Sequence, residues 1–217
     1  MLIIAGNSEN RVPFMKAFSI ISVSLITVLL AVSYIWQILK KKIQPALAMW
    51  VMFSVAVAMS LITYLKEGNY GFTDNILNSV DVIYVITVSA AIAIWGDHTS
   101  KITRFDLGCL VVVGLIVVFW LFTQNHLVTN FMIQTILVIA YFPVVKRLIE
   151  TRENTEPFLV WTGMMIAPVF SLLSSKGLLA TVYSVRAIIC VGMLLLIMLW
   201  IEFSAKNRKP VKEPNQN

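Results

Sequence analysis

Charge is scarce in this chain: Asp, Glu, Lys and Arg make up only 13% of its 217 residues, against about a quarter in an ordinary soluble domain. Cysteine is limited to Cys109 and Cys190, both inside apolar sequence, where they read as packing residues rather than a disulfide or a metal site. The two histidines, His98 and His126, cannot share a metal, because the apolar stretches described next place them on opposite membrane faces. No Walker loop, zinc spacing or nucleophile elbow occurs. The apolar stretches hold no nucleophile–base pair. These absences predict a chain that is not an enzyme and calls for no cofactor or metal.

What remains is apolar. Hydrophobic residues make up 59% of the chain and the mean hydropathy is +0.84. A membrane span needs about 20 apolar residues. Stretches of that kind run roughly over 17–39, 45–65, 76–95, 107–123, 127–145, 158–175 and 178–201. They predict an all-α polytopic membrane protein with seven transmembrane helices. His98 and His126 then fall in loops on opposite membrane faces.

A net charge of +6 would suggest nucleic acid in a soluble protein, but its distribution points to a bilayer. If the N-terminus and the loops after helices two, four and six share one side, that side holds Arg11, Lys16, Lys66 and Lys176. The other side holds twelve cations: Lys40, Lys41, Lys42, Lys101, Arg104, Lys146, Arg147, Arg152, Lys206, Arg208, Lys209 and Lys212. Positive loops stay in the cytoplasm. The N-terminus is therefore predicted outside and the C-terminus inside, in a plasma or inner membrane. The first apolar stretch carries its basic cluster after it and is not a cleavable signal.

Only Asp81 and Arg186 are charged within the seven stretches, and they occupy matched places. Ser79-Val80-Asp81 precedes Trp95 by the same interval that separates Ser184-Val185-Arg186 from Trp200. Other landmarks recur in the same order. Tyr34 to Lys40, then Pro45 and Trp50, match Tyr141 to Arg147, then Pro157 and Trp161. Ser60 to Thr63 match Ser171 to Ser174. The pattern predicts two parallel three-helix repeats joined by a linker helix. The divisions are an extracytoplasmic segment 1–16, a first repeat 17–95, a loop and linker helix 96–126, a second repeat 127–201 and a basic cytoplasmic tail 202–217.

Most of these landmarks also have a plain structural explanation. Pro45 and Pro157 suit the first turn of a helix, and Trp36, Trp50, Trp95, Trp161 and Trp200 suit an interfacial aromatic belt. Pro168 and Pro143 are the hinge candidates, because proline inside a span frees a carbonyl and kinks the helix.

A three-plus-one-plus-three order with the N-terminus outside resembles the PQ-loop superfamily, which includes the SWEET sugar facilitators and shares its fold with nicotinamide-riboside-type vitamin transporters. Its proline–glutamine landmark is divided here between Trp36-Gln37 and Pro143-Val144. The resemblance covers about residues 17–204. It implies that the third helix of each triplet supplies paired polar residues to a central pocket: Asn78 and Asp81, with Tyr183 and Arg186. A carboxylate and a guanidinium stand where that family places symmetric amides, which argues against a sugar.

Depth places Asp81 about 8 Å from the outer face at 1.5 Å per residue, near Ser60, Thr63 and Tyr64 of helix two and Ser171, Ser174 and Ser175 of helix six. Asp81 and Arg186 fit three roles: an ion pair that closes the outer side as a gate, two ends of a ligand site, or a static pair with Arg186 snorkelling outward. Gln37, Asn130 and Gln134 rank below them.

The leading expectation is a facilitator, uniport or proton-coupled, that moves a small polar metabolite by alternating access. The alternative is a non-transporting PQ-loop-type receptor or sorting factor that binds its ligand in the same cavity. A retinal photoreceptor is disfavoured because helix seven offers no lysine for a Schiff base. The expected partners are a small-molecule substrate and the lipid bilayer, not nucleic acid; homo-oligomerisation stays open.

Overall fold

The computed structural model describes residues 11–43, 47–96, 104–154 and 156–207, and among these it is helical with no strand. The helices are α1 (Arg11–Leu39), α2 (Leu47–Glu67), α3 (Ile76–Trp95), α4 (Arg104–Thr123), α5 (His126–Ile139), α6 (Phe142–Thr151), α7 (Phe158–Ser171) and α8 (Gly177–Asn207), with a short 3-10 turn at Phe72–Asn75. Five segments are long and apolar enough to cross a membrane: Pro13–Leu39, Trp50–Glu67, Phe72–Trp95, His126–Thr151 and Gly177–Lys206. The other two apolar helices, Leu107–Thr123 and Phe158–Ser171, are shorter. At 1.5 Å per residue α7 is about 21 Å long, less than a bilayer core of about 30 Å.

Chain chemistry explains the helix ends. α1 stops where Lys41 turns left-handed at φ 53. The Lys42 amide then reaches back to the Gln37 carbonyl and the Lys41 amide to Ile38, closing the last turn in a Schellman arrangement. The side-chain oxygens of Asn75 and Asn125 accept the Asn78 and Val128 amides and so cap α3 and α5.

The stretch predicted as one helix over 127–145 breaks at Ala140–Tyr141 and restarts as α6, which runs to Thr151. Pro143 is at the second position of α6, where its missing N–H leaves no helical bond unmade. It therefore opens a helix instead of bending one. Pro168, expected midway along helix six, lies three residues before the end of α7 and is buried. α8 continues through residues 202–207, which were assigned to the tail. His126, assigned to a loop, is the first residue of α5 and accepts the Trp120 indole N–H at 2.8 Å. Pro157 immediately precedes α7. Pro45, His98 and residues 1–10 and 208–217 lie outside the described residues.

Packing forms a ring. α3 packs against both α1 and α2 and so stands between them, and α8 packs against α7 on one side and α5 and α6 on the other. The two groups meet where α1 packs on α7 and α2 on α5. α4 touches α2 and α5 from outside. Its buried residues Cys109, Val113 and Ile116 form a narrow stripe, while Leu107, Leu115 and Phe122 are exposed.

α1 also exposes large apolar residues (Phe14, Ile21, Leu25, Val28 and Val32) and buries Ser19, Val23 and Thr27. Helices with apolar outer faces and polar groups turned inward suit lipid as the surrounding medium. α6 docks on α8 through Leu148, fully buried with Leu194, Met198 and Ile201. Leu148→Ala is expected to cost about 2–5 kcal/mol, read as a lower unfolding temperature of the detergent-purified protein. An unchanged unfolding temperature would mean that α6 is not held there.

Candidate functional site

Polar side chains converge between the helices. Arg186 of α8 donates Nε to Gln134 Oε1 of α5 at 2.8 Å. Gln134 donates Nε2 to Ser60 Oγ at 2.9 Å and to Asn130 Oδ1 at 3.1 Å. Asn130 in turn donates to the Ser60 carbonyl at 2.8 Å and to Thr63 Oγ1 at 2.9 Å. The Asn78 amide is oriented so that its oxygen accepts from Ser60 Oγ at 2.9 Å and from the Leu61 amide at 3.1 Å, while its nitrogen donates to the Val57 carbonyl at 3.1 Å. The layer thus joins α8, α5, α2 and α3. Buried polar groups of this kind need every partner they have, because lipid offers none.

Asp81 and Arg186 are not an ion pair. Ion pairs form elsewhere, at Lys16–Asp74 (2.6 Å) and Lys146–Glu150 (3.7 Å). Tyr183 holds the two charges apart: its hydroxyl donates to Asp81 Oδ2 at 2.8 Å, and the Arg186 guanidinium carbon lies 4.8 Å from its ring centroid. Tyr183 precedes Arg186 by three residues on α8, so its ring lies beneath the guanidinium. Ser171 meets Ser184 at 2.7 Å and donates to the Pro168 carbonyl, which joins α7 to α8. Of the residues singled out from sequence, Asn78, Ser60, Gln134 and Arg186 lie in one hydrogen-bonded layer, with Asp81 and Tyr183 beside it and Ser171 across the bundle.

A cavity of about 1250 Å³ ends on Asp81, Tyr183 and Arg186. Its other end is lined by Lys41, Lys42, Lys146, Glu150 and Glu156, so it opens toward the basic end of the bundle. Aromatic rings stand among the aliphatic side chains of its walls. Tyr34 and Trp50 make a tilted contact at 5.1 Å and 53°, and Tyr141 and Trp161 make a similar one at 6.1 Å and 54°.

Two of the five tryptophans assigned to an interfacial belt are therefore turned inward. Trp50 is 8% exposed and Trp161 is half-buried, whereas Trp36, Trp95 and Trp200 are exposed. Gln134 and Asn130, which rank below Asp81 and Arg186 from sequence, both belong to the hydrogen-bonded layer. Their i, i+4 spacing in an otherwise apolar helix was the available signal.

The far end of the cavity is closed. Ser19 of α1 meets Ser174 at 2.7 Å and donates to the Phe170 carbonyl at 2.8 Å, which seals the seam between α1 and α7. Asn130 and Gln134 seal the seam between α5 and α2. Beyond them Asp74 ties three segments: Lys16 of α1, the Gly71 amide and, through its carbonyl, the Lys176 amide. Tyr64 donates to the Lys176 carbonyl at 3.0 Å and stacks on Tyr70 at 4.8 Å. Gly177, at φ +80, lies so close that a Cβ there would stand 2.5 Å from the Tyr70 hydroxyl oxygen. Both the backbone angle and the gap require glycine.

No family model matches this chain, and no curated protein and no solved structure matches it.

Proposed function

We propose that this chain is a membrane transporter that carries a small polar metabolite by alternating access between two three-helix halves. The carrying observation is the cavity: open at the basic end, floored by two unpaired opposite charges, and closed at the far end by hydrogen bonds that cross between the halves. On this reading α1–α3 and α5–α8 are parallel repeats and α4 is the linker that restores orientation to the second half. Three features support the repeat. Each half has its last helix between the other two, the α1–α7 seam corresponds to the α5–α2 seam, and the Tyr–Trp contacts recur at matched positions. The four-against-twelve distribution of cations favours the basic end in the cytoplasm, which makes this an inward-open state.

A pool of labelled vitamins, sugars, amino acids and nucleosides offered to proteoliposomes tests the reading. At least one solute should enter roughly tenfold faster than into protein-free vesicles, and Asp81→Asn should reduce that rate by a similar factor, given how often intramembrane charges serve function. Ligand binding detected by thermal shift without uptake of any solute would instead make the chain a receptor and end the proposal.

A further inference from the structure

We propose that the cavity is built for a zwitterionic amino acid whose side chain is a flat ring with a hydrogen-bond-accepting edge. The proposal rests on the transport reading only in taking this cavity as the ligand site.

The floor carries the first half of the argument. Asp81 uses Oδ2 for Tyr183, which leaves Oδ1 for a cation. Arg186 gives Nε to Gln134, so an incoming carboxylate would meet its Nη side together with the Tyr141 hydroxyl, which lies beside the guanidinium. A guanidinium fork grips a carboxylate with two parallel bonds. Two opposite charges that could satisfy each other are instead held apart on either side of one tyrosine, each by a neutral neighbour. A ligand with an ammonium and a carboxylate meets both.

The wall carries the second half. Tyr84 lies three residues beyond Asp81 on α3, roughly 4.5 Å toward the open end. Tyr84 is 4% exposed and Trp50 is 8% exposed. Both line the cavity, with ring centroids 5.9 Å apart. The Tyr84 hydroxyl and Trp50 Nε1 have no hydrogen-bond partner, a rare condition for buried polar atoms. An indole N–H only donates, so the missing partner must accept. A phenol oxygen or an imidazole nitrogen does so; an indole or a phenyl ring does not. One helical turn from charged floor to polar wall suits an amino acid whose ring follows its backbone by one methylene.

Competition against labelled L-tyrosine bound to the detergent-purified protein tests this directly. Tyramine, which lacks the carboxylate, and 3-(4-hydroxyphenyl)propionate, which lacks the ammonium, should each compete about tenfold or more less well than unlabelled tyrosine. L-Phenylalanine, which lacks the accepting edge, should also compete about tenfold less well. Trp50→Phe and Tyr84→Phe, which preserve the rings, should erase the preference for tyrosine over phenylalanine and leave the preference for the zwitterion. Asp81→Asn should make the propionate compete as well as tyrosine.

The proposal is overturned if a variant-free protein with normal thermal unfolding binds no tyrosine, or binds a truncated analogue or phenylalanine equally well. Uptake of another solute without tyrosine binding would keep the transport reading and end this one. Tyrosine binding with no uptake of any solute would do the reverse.

Discussion

Solute flux through a protein carrying Ser19→Cys and Ser174→Cys, with Cys109→Ala and Cys190→Ala, should fall roughly tenfold or more on oxidation and return on reduction. The two serine hydroxyls meet at 2.7 Å, which brings the side chains within reach of a disulfide after a small adjustment. The bond would fasten α1 to the segment after α7 at the closed end of the cavity. A transporter that alternates must part that seam to face the other side. A receptor need not, and its ligand binding would survive the lock. Radiolabelled uptake into proteoliposomes, with and without reductant, gives the answer; full flux in the oxidised protein would sink the idea that this seam opens. Removing Cys109 and Cys190 first ensures that only the engineered pair responds.

The second large effect is on stability. Arg186→Met removes the donor to Gln134 Oε1 and takes away the positive charge held across Tyr183 from the Asp81 carboxylate. Stripping one partner from a sealed buried pair costs about 3–5 kcal/mol. Arg186 borders an open cavity, so water screens part of the loss and the expected cost is about 2–4 kcal/mol. Adding Asp81→Asn should recover part of it, because a neutral amide no longer needs the cation. Thermal unfolding of the two single variants and the double variant closes the cycle. Strict additivity would show that the two residues do not influence each other through Tyr183.

Hydropathy made the apolar stretches legible because lipid demands long runs of apolar residues, and such runs are local in sequence. It could not show where helices end. α6 carries Lys146 and Glu150, and the end of α8 carries Glu202 and Lys206. A helix leaving the membrane can remain a helix in water, yet its charges made it read as loop or tail. Pro143 stood out as a landmark, but its effect depends on its place in the turn, which hydropathy does not encode.

The site was legible in part for the same kind of reason. Asp81 and Arg186 announce themselves as charges in apolar sequence. Their partners do not: Gln134 meets Ser60 across 74 residues and Tyr183 meets Asp81 across 102. Nor does sequence fix which way a tryptophan near a helix end faces. Trp50 and Trp95 look alike in that respect, yet neighbouring rings turn Trp50 inward and Trp95 stays exposed.

The placing of one carboxylate and one guanidinium on either side of Tyr183 has an electrical consequence. The membrane potential acts on a charge with about 2.3 kcal/mol per 100 mV for a full crossing. Two opposite charges at one level of the bundle feel opposing forces that cancel. An uncharged or zwitterionic passenger adds nothing to the sum. The loaded and empty site would then ride through the field without net work, and cells holding very different voltages would run the cycle at the same rate, driven by concentration alone.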